Sequence, residues 1–307
     1  MKTLRLQTLS PVHIGGNEEL TPMDYLIDQD LLRINIPALF KDPDFAPIAE
    51  PFLKVAGSRR YLGDAVPIDL LRRHVLYKLF IRGDAEAYLR DHQTNVKAIV
   101  KSAGRIYLPG SSIKGALLSA LMWFTLKDLA GQDRNNVKSL LAADNYDELL
   151  KLILGKIAAR PISGNARFSR WLDVSDSSLL PPTALEVSLV RIHGAAEGKE
   201  QPILYETIKP GTEFVLRIKA GNCKYSEQDI VGIADQFYQR VCLEDGGQMN
   251  AAEQIFRLGQ GSSAFATSLL ILAKDWNMKE YPVSSPKTRK RIDQQFAMGW
   301  LGMQFAD

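Results

Sequence analysis

The stretch Arg105-Ile106-Tyr107-Leu108-Pro109-Gly110-Ser111-Ser112-Ile113-Lys114-Gly115 decides how the chain is read. Arg105–Leu108 has the alternation of a short strand, and Pro109-Gly110 breaks it. Ile113, Leu117, Ala120, Leu121 and Phe124 then recur at helical spacing, with Ser111 or Ser112 expected as the cap and an end near Gly131. A strand that turns directly into a helix aims the free N–H groups of the helix at one point. Two serine hydroxyls and Lys114 stand in the same turn, so the segment has the chemistry of a phosphate seat. It is not a nucleotide-hydrolysing P-loop, because Lys114 precedes Gly115 where that motif needs Gly before Lys. The plain alternative is an ordinary capped helix packed closely through Gly115.

Working outward, Thr3–Leu9 reads as a half-buried strand ended by Ser10-Pro11, and it runs into Val12-His13-Ile14-Gly15-Gly16. Tyr25–Ile27 and Leu31–Ile34 flank Asp28-Gln29-Asp30 as a hairpin. Pro37–Pro67 reads as irregular, and residues from about 67 to 100 as helical, through Leu70, Leu71, Val75, Leu79, Val96 and Ile99. A second helical region covers about 135–158. Trp171–Val174, Leu185–Val190, Ile203–Ile208 and Glu213–Ile218 follow as strands, with His193–Gln201 as a loop tip. Ser226 opens a helix with Ile230, Ile233, Ala234, Phe237 and Val241 on one stripe. Ile255–Leu258 is a last short strand before Gly259-Gln260-Gly261. With the insertions removed, the order is strand, helix, strand, strand, helix, strand. That is the α+β, ferredoxin-like or RRM-like βαββαβ plan. The expectation is a single elaborated domain over 1–307 with insertions at about 20–105 and 177–203.

The bulk properties narrow the function classes. There are 307 residues with a net charge of +3, which permits a nucleic-acid partner without demanding one. No apolar run is long enough for a membrane span, and the first residues lack the apolar core of a signal peptide, so a cytoplasmic protein is expected. Cys223 and Cys242 stand apart, with no His or Cys at metal spacing, which points to neither a disulfide framework nor a metal site. Basic residues cluster locally at Arg59-Arg60, Arg72-Arg73, Lys97 with Lys101 and Arg105, and Lys287-Arg289-Lys290-Arg291. The last run precedes the apolar Phe296, Met298, Trp300, Leu301 and Met303, which are expected to dock on the domain and anchor it.

Three glycine-flanked turns, at His13-Ile14-Gly15-Gly16, Pro109–Gly115 and Arg257-Leu258-Gly259-Gln260-Gly261, occur here in an order that resembles the RAMP superfamily of CRISPR-associated proteins. SPVHIGGNEELTPMDYLID, LPGSSIKGAL, LDVSD and SPKTRKRIDQQFAMGW most resemble the subunits that cap the 3′ end of the guide RNA in type III-A Csm complexes. The resemblance implies a non-catalytic RNA-binding protein without cofactor, acting in guide maturation and antiviral defence. Its implied partners are guide RNA, RAMP backbone subunits, small helical subunits and trimming nucleases. The RNA-binding set expected is His13, Gly15, Gly16, Ser111, Ser112, Lys114, Arg257, Gly259, Gly261, Lys287, Arg289, Lys290 and Arg291. Two rivals stand beside this reading. One is a RAMP-type endoribonuclease using His13, or Asp24 in the loop after the first strand. The other is an interaction subunit that hardly touches RNA.

Overall fold

A computed structural model describes residues 1–56, 61–128, 134–160, 170–193, 202–245, 254–281, 283–284, 289–292 and 296–306. Two main sheets share one apolar core.

The first sheet is built around the N-terminal strand Lys2–Thr8, whose Leu4 and Leu6 are fully buried while Arg5 between them is exposed. It pairs antiparallel with Glu213–Ala220 on one side and with Trp300–Phe305 on the other. Leu172–Val174 lies beyond Glu213–Ala220, and Gln254–Arg257 beyond Trp300–Phe305. The helices Gly110–Asp128 and Glu227–Glu244 lie together, with the Tyr238 hydroxyl donating to the Ala116 carbonyl at 3.1 Å and the Trp123 and Phe237 rings 5.6 Å apart. Ser226 caps the second helix in a reciprocal box with Asp229.

The order of core elements is the ferredoxin-like one, with one change of occupant. Ile255–Leu258, expected as the closing strand, lies at the sheet edge as Gln254–Arg257. The place beside the first strand belongs to Trp300–Phe305. Trp300, Leu301, Gly302 and Met303 are consecutively buried, so both faces of this strand are covered. The apolar tail therefore does more than dock, since it completes the sheet.

The second sheet runs in the order Gly15–Leu20, Val96–Ile99, Ile203–Ile208, Leu185–His193, Val75–Ile81, Leu31–Ile34 and Tyr25–Ile27. Most of its strands come from the two stretches expected as insertions. The hairpin about Asp28–Asp30 forms as read. The expectation of helix over about 67–100 is corrected, because only Ile68–Arg73 and Ala85–His92 are helical. Val75, Leu79, Val96 and Ile99 lie on strands. Val75–Ile81 carries β-branched and aromatic residues and finds partners on both sides, so tertiary pairing overrides an ambiguous local period. The region about 135–158 is two helices, Arg134–Ala142 and Tyr146–Ile157, broken at Asp144 with φ 52°. Of the expected tip His193–Gln201, His193 ends a strand and 194–201 lie outside the described residues, as does the helix end near Gly131. No described helix is long and apolar enough to cross a membrane.

Candidate RNA interface

The first and third glycine turns, 244 residues apart between His13 and Arg257, meet in space. Ser10 leaves the first strand, with its hydroxyl accepting from the Trp300 amide at 2.9 Å, and Val12 bridges to Ile208 of the second sheet. His13 is thereby lowered between the sheets and is 2% exposed. The Gln260 amide donates to the His13 carbonyl at 2.8 Å. Gly259 has φ +77°, and a Cβ there would collide with that carbonyl, so only glycine fits. Gly261 has φ +86°, with Met298 2.9 Å from where its Cβ would stand. Gly16 packs against Val100, whereas Gly15 is exposed and open to a side chain.

The His13 ring is held firmly. Its Nδ1–H donates to the Glu206 carbonyl at 2.7 Å, and the ring meets Tyr205 edge-on at 4.6 Å. Burial is the main cause that lowers its pKa to about 4, outweighing the raising effect of Glu206. The imidazole is therefore neutral near pH 7. Below it, the Glu206 carboxylate is fully buried. It accepts from the Tyr77 hydroxyl at 2.8 Å and the Ile99 amide at 3.0 Å, and pairs with Lys101. Burial and the Glu206 carboxylate push the Tyr77 phenol well above its usual range.

A cleft of about 280 Å³ opens beside His13, lined further by Gly15, Asn17, Lys97, Tyr205 and Gln260, with Glu18 and Glu19 at its acidic side. Asn95 at 2.9 Å and Lys97 at 3.0 Å donate to Glu19 and hold its carboxyl below the usual range. The basic tail reaches the same cleft. Arg289–Ile292 adds to the second sheet against Leu185–His193, and Lys290 donates to Gln260 Oε1 at 2.9 Å and lies 5.8 Å over the Tyr205 ring. Arg291 is half-buried on that strand, Arg289 contributes its backbone there, and Lys287 lies outside the described residues.

The second turn is built differently from its sequence expectation. The helix starts at Gly110, one turn earlier than a serine cap would place it, with Pro109 accepting from Ser112 and Ile113. The Gly110 amide donates to Asp176 Oδ1 at 2.7 Å. A Cβ at Gly110 would stand 2.6 Å from the Val174 carbonyl oxygen, so this glycine serves the chain's own close approach. Gly115, read as the close-packing glycine, has open space around it. Ser111 is exposed and Ser112 half-buried. Lys114 lies 5.8 Å over the Trp171 ring, and partial burial lowers its pKa against the opposing effect of Asp173. None of these three lines the His13 cleft.

Arg257 departs from the expectation of an RNA contact. Its guanidinium is buried and pairs with Asp245, donates to the Gly261 carbonyl at 2.7 Å and the Met298 carbonyl at 3.0 Å, and stacks 4.9 Å over Trp300. A guanidinium so engaged holds the glycine loop from within. Asp24 is likewise committed, to Arg33 at 2.7 Å and to the Thr21 amide and hydroxyl at 2.8 and 2.7 Å. Arg72 and Arg73 pair with Asp28 and Asp44 at 2.9 and 2.6 Å, and Arg59-Arg60 lies outside the described residues. Among the described residues, no three His, Cys, Asp or Glu side chains gather as metal ligands would.

Sequence reasoning missed Tyr205, Glu206 and Gln260. A glutamate in the middle of the apolar strand Ile203–Ile208 was the signal available, since a buried carboxylate implies partners that must be paid a geometric role.

Comparison with known proteins bears on the fold and the family. A Csm5 protein of the CRISPR system of Methanocaldococcus jannaschii is 25% identical over 252 residues, 78% of this chain and 54% of the relative. The chain thus spans about half the length of that relative. Among solved structures, a chain of a Csm–crRNA–target RNA ternary complex from a type III-A CRISPR-Cas system superposes with a TM-score of 0.73 at 20% identity, covering 99% of this chain and 100% of that one. Csm5 of T. onnurineus gives 0.71 at 20%, covering 97% and 99%. At such identity the likeness is one of fold. The family model of the RAMP superfamily matches residues 5–276, a span that holds all three glycine turns, and the chain belongs to that superfamily.

Proposed function

We propose that this protein is a subunit of a type III-A CRISPR effector complex that holds the 3′-proximal part of the guide RNA and does not cut it. The carrying observation is the convergence of His13–Gly16 and Gly259–Gly261 beside one cleft, with Lys97, Tyr205 and Lys290 at its edge. A cation and an aromatic ring beside a cleft are parts from which sequence-tolerant binding of single-stranded RNA is made, and the glycines let the two turns close on each other to form it. The whole-chain likeness to a chain of an RNA-containing Csm complex supports the same reading. The partners that follow are guide RNA, the repeating RAMP backbone, small helical subunits and nucleases that trim the guide. Lys290 of the basic tail bonds to Gln260, which lines the cleft, and that supports a role for the tail in holding RNA.

The endoribonuclease reading is disfavoured by chemistry. A general base works best with a pKa near the working pH, and His13 is held far below it. The Asp24 carboxylate is engaged by Arg33 and Thr21.

The test is nuclease footprinting of guide RNA in the assembled complex, with Lys287, Arg289, Lys290 and Arg291 replaced by Gln. A shifted 3′ boundary is expected. An unchanged boundary would remove the tail from the RNA path, and cleavage of RNA by the purified chain would return the endoribonuclease.

A further inference from the structure

We propose that His13 Nε2 accepts a hydrogen bond from a ribose 2′-hydroxyl, so that the cleft selects RNA over DNA. This deepens the RNA-holding reading and rests on it.

The protonation of the ring follows from its partner. A carbonyl oxygen can only accept, so the contact with Glu206 fixes the proton on Nδ1 and leaves a lone pair on Nε2 of the neutral ring. The depressed pKa keeps it so at neutral pH. Nε2 lies beside Gly15, and a methyl group there would stand 3.5 Å from it. Gly15 is exposed, so no side chain at that position shields the nitrogen from the cleft.

The surroundings determine what can meet this lone pair. A phosphate oxygen would be repelled by it and by the exposed Glu18, which lines the same cleft. The ligand must therefore bring a donor. In single-stranded nucleic acid, the donor carried by every residue of RNA and by none of DNA is the 2′-hydroxyl. The neighbouring phosphate has a separate place, since Lys290 lies across the Tyr205 ring at the edge of the cleft. A base amino group could also donate, but that contact would follow base identity, whereas the sugar contact would not.

The test is equilibrium binding of the full chain to single strands of one sequence with ribose, 2′-fluoro, 2′-O-methyl or deoxyribose sugars, repeated with homopolymers. The 2′-fluoro sugar keeps an RNA-like pucker but cannot donate. RNA is expected to bind about 5- to 10-fold more tightly than the 2′-fluoro and DNA strands, the amount of one buried hydrogen bond. Gly15→Ala, which places a methyl beside Nε2, is expected to narrow that ratio, and His13→Phe to abolish it. The sugar series on the unaltered protein decides the matter even if His13→Phe does not fold. Equal affinity for RNA and 2′-fluoro strands overturns the inference and leaves the RNA-holding reading standing, as does preference by base with none by sugar. Absence of RNA binding by the chain and by its assembled complex overturns both.

Discussion

Replacing Arg257 with Met tests whether the glycine loop is held from inside. The substitution roughly keeps the side chain's length but removes the buried partner of Asp245 and the donors to Gly261 and Met298. Removing one member of a buried ion pair strands the other, at a cost of about 3–5 kcal/mol. Loss of the stacking over Trp300 adds to this. For a chain of this size, about 2 °C in Tm accompanies each kcal/mol, so thermal unfolding is expected about 6–10 °C lower. The double variant Arg257→Met/Asp245→Leu removes the stranded carboxylate as well and is expected to recover roughly half of the loss. Arg257→Lys should fall between, because a point charge cannot reach three acceptors on different sides. The assay is a thermal scan of each variant followed by RNA binding at a temperature where all are folded. If Arg257→Met melts within about 2 °C of the parent yet binds RNA much more weakly, the loop-holding role is wrong and Arg257 contacts RNA after all.

Other expectations concern the same region. Because the folded pKa of His13 lies below that of the unfolded chain, its contribution to stability is complete above pH 6.5 and is lost as pH falls through 4. The difference amounts to about 3 kcal/mol. Glu206, Lys101 and Lys290 act on the ring, and Glu18, Glu19 and Lys97 line the same cleft, so the measurement is the difference in pH-dependent stability between the parent and His13→Gln. Parallel curves would reject it. Gly259→Ala should destabilise by roughly 2 kcal/mol or more through its positive φ and the His13 carbonyl, and weaken RNA binding with it. A folded variant with parental stability and affinity would remove the loop contact from the argument. Lys290→Gln should leave thermal stability nearly unchanged while reducing the steepness of the log affinity–log salt plot by about 0.7, the contribution of one phosphate on a single strand. An unchanged slope would show that Lys290 neutralises none.

Much of this protein can be read from local sequence. The first strand, the hairpin about Asp28–Asp30 and the helix opened by Ser226 each carry their own signal: alternation, turn residues or a capping box. The three glycine turns stood out because glycine at a strand end marks a break or a close backbone approach, although only Gly259 and Gly261 among them adopt positive φ. What the chain could not disclose locally is which distant segments meet. Val75–Ile81 is apolar enough to read as helix, and only its neighbours on both sides make it a strand. Trp300–Phe305 takes the place beside the first strand through pairing with segments about 295 and 45 residues away in the chain, which its local sequence does not reveal. The role of Arg257 turns on Asp245, 12 residues away, and on Trp300. A charged side chain looks the same in sequence whether it faces solvent or a buried partner. The His13 cleft is the clearest case, since its walls come from the first turn, the strands Gly15–Leu20, Val96–Ile99 and Ile203–Ile208, and the glycine loop. Residue types set the chemistry available to it, and tertiary packing alone decided that the imidazole is neutral, which nitrogen carries the proton and what stands opposite the other.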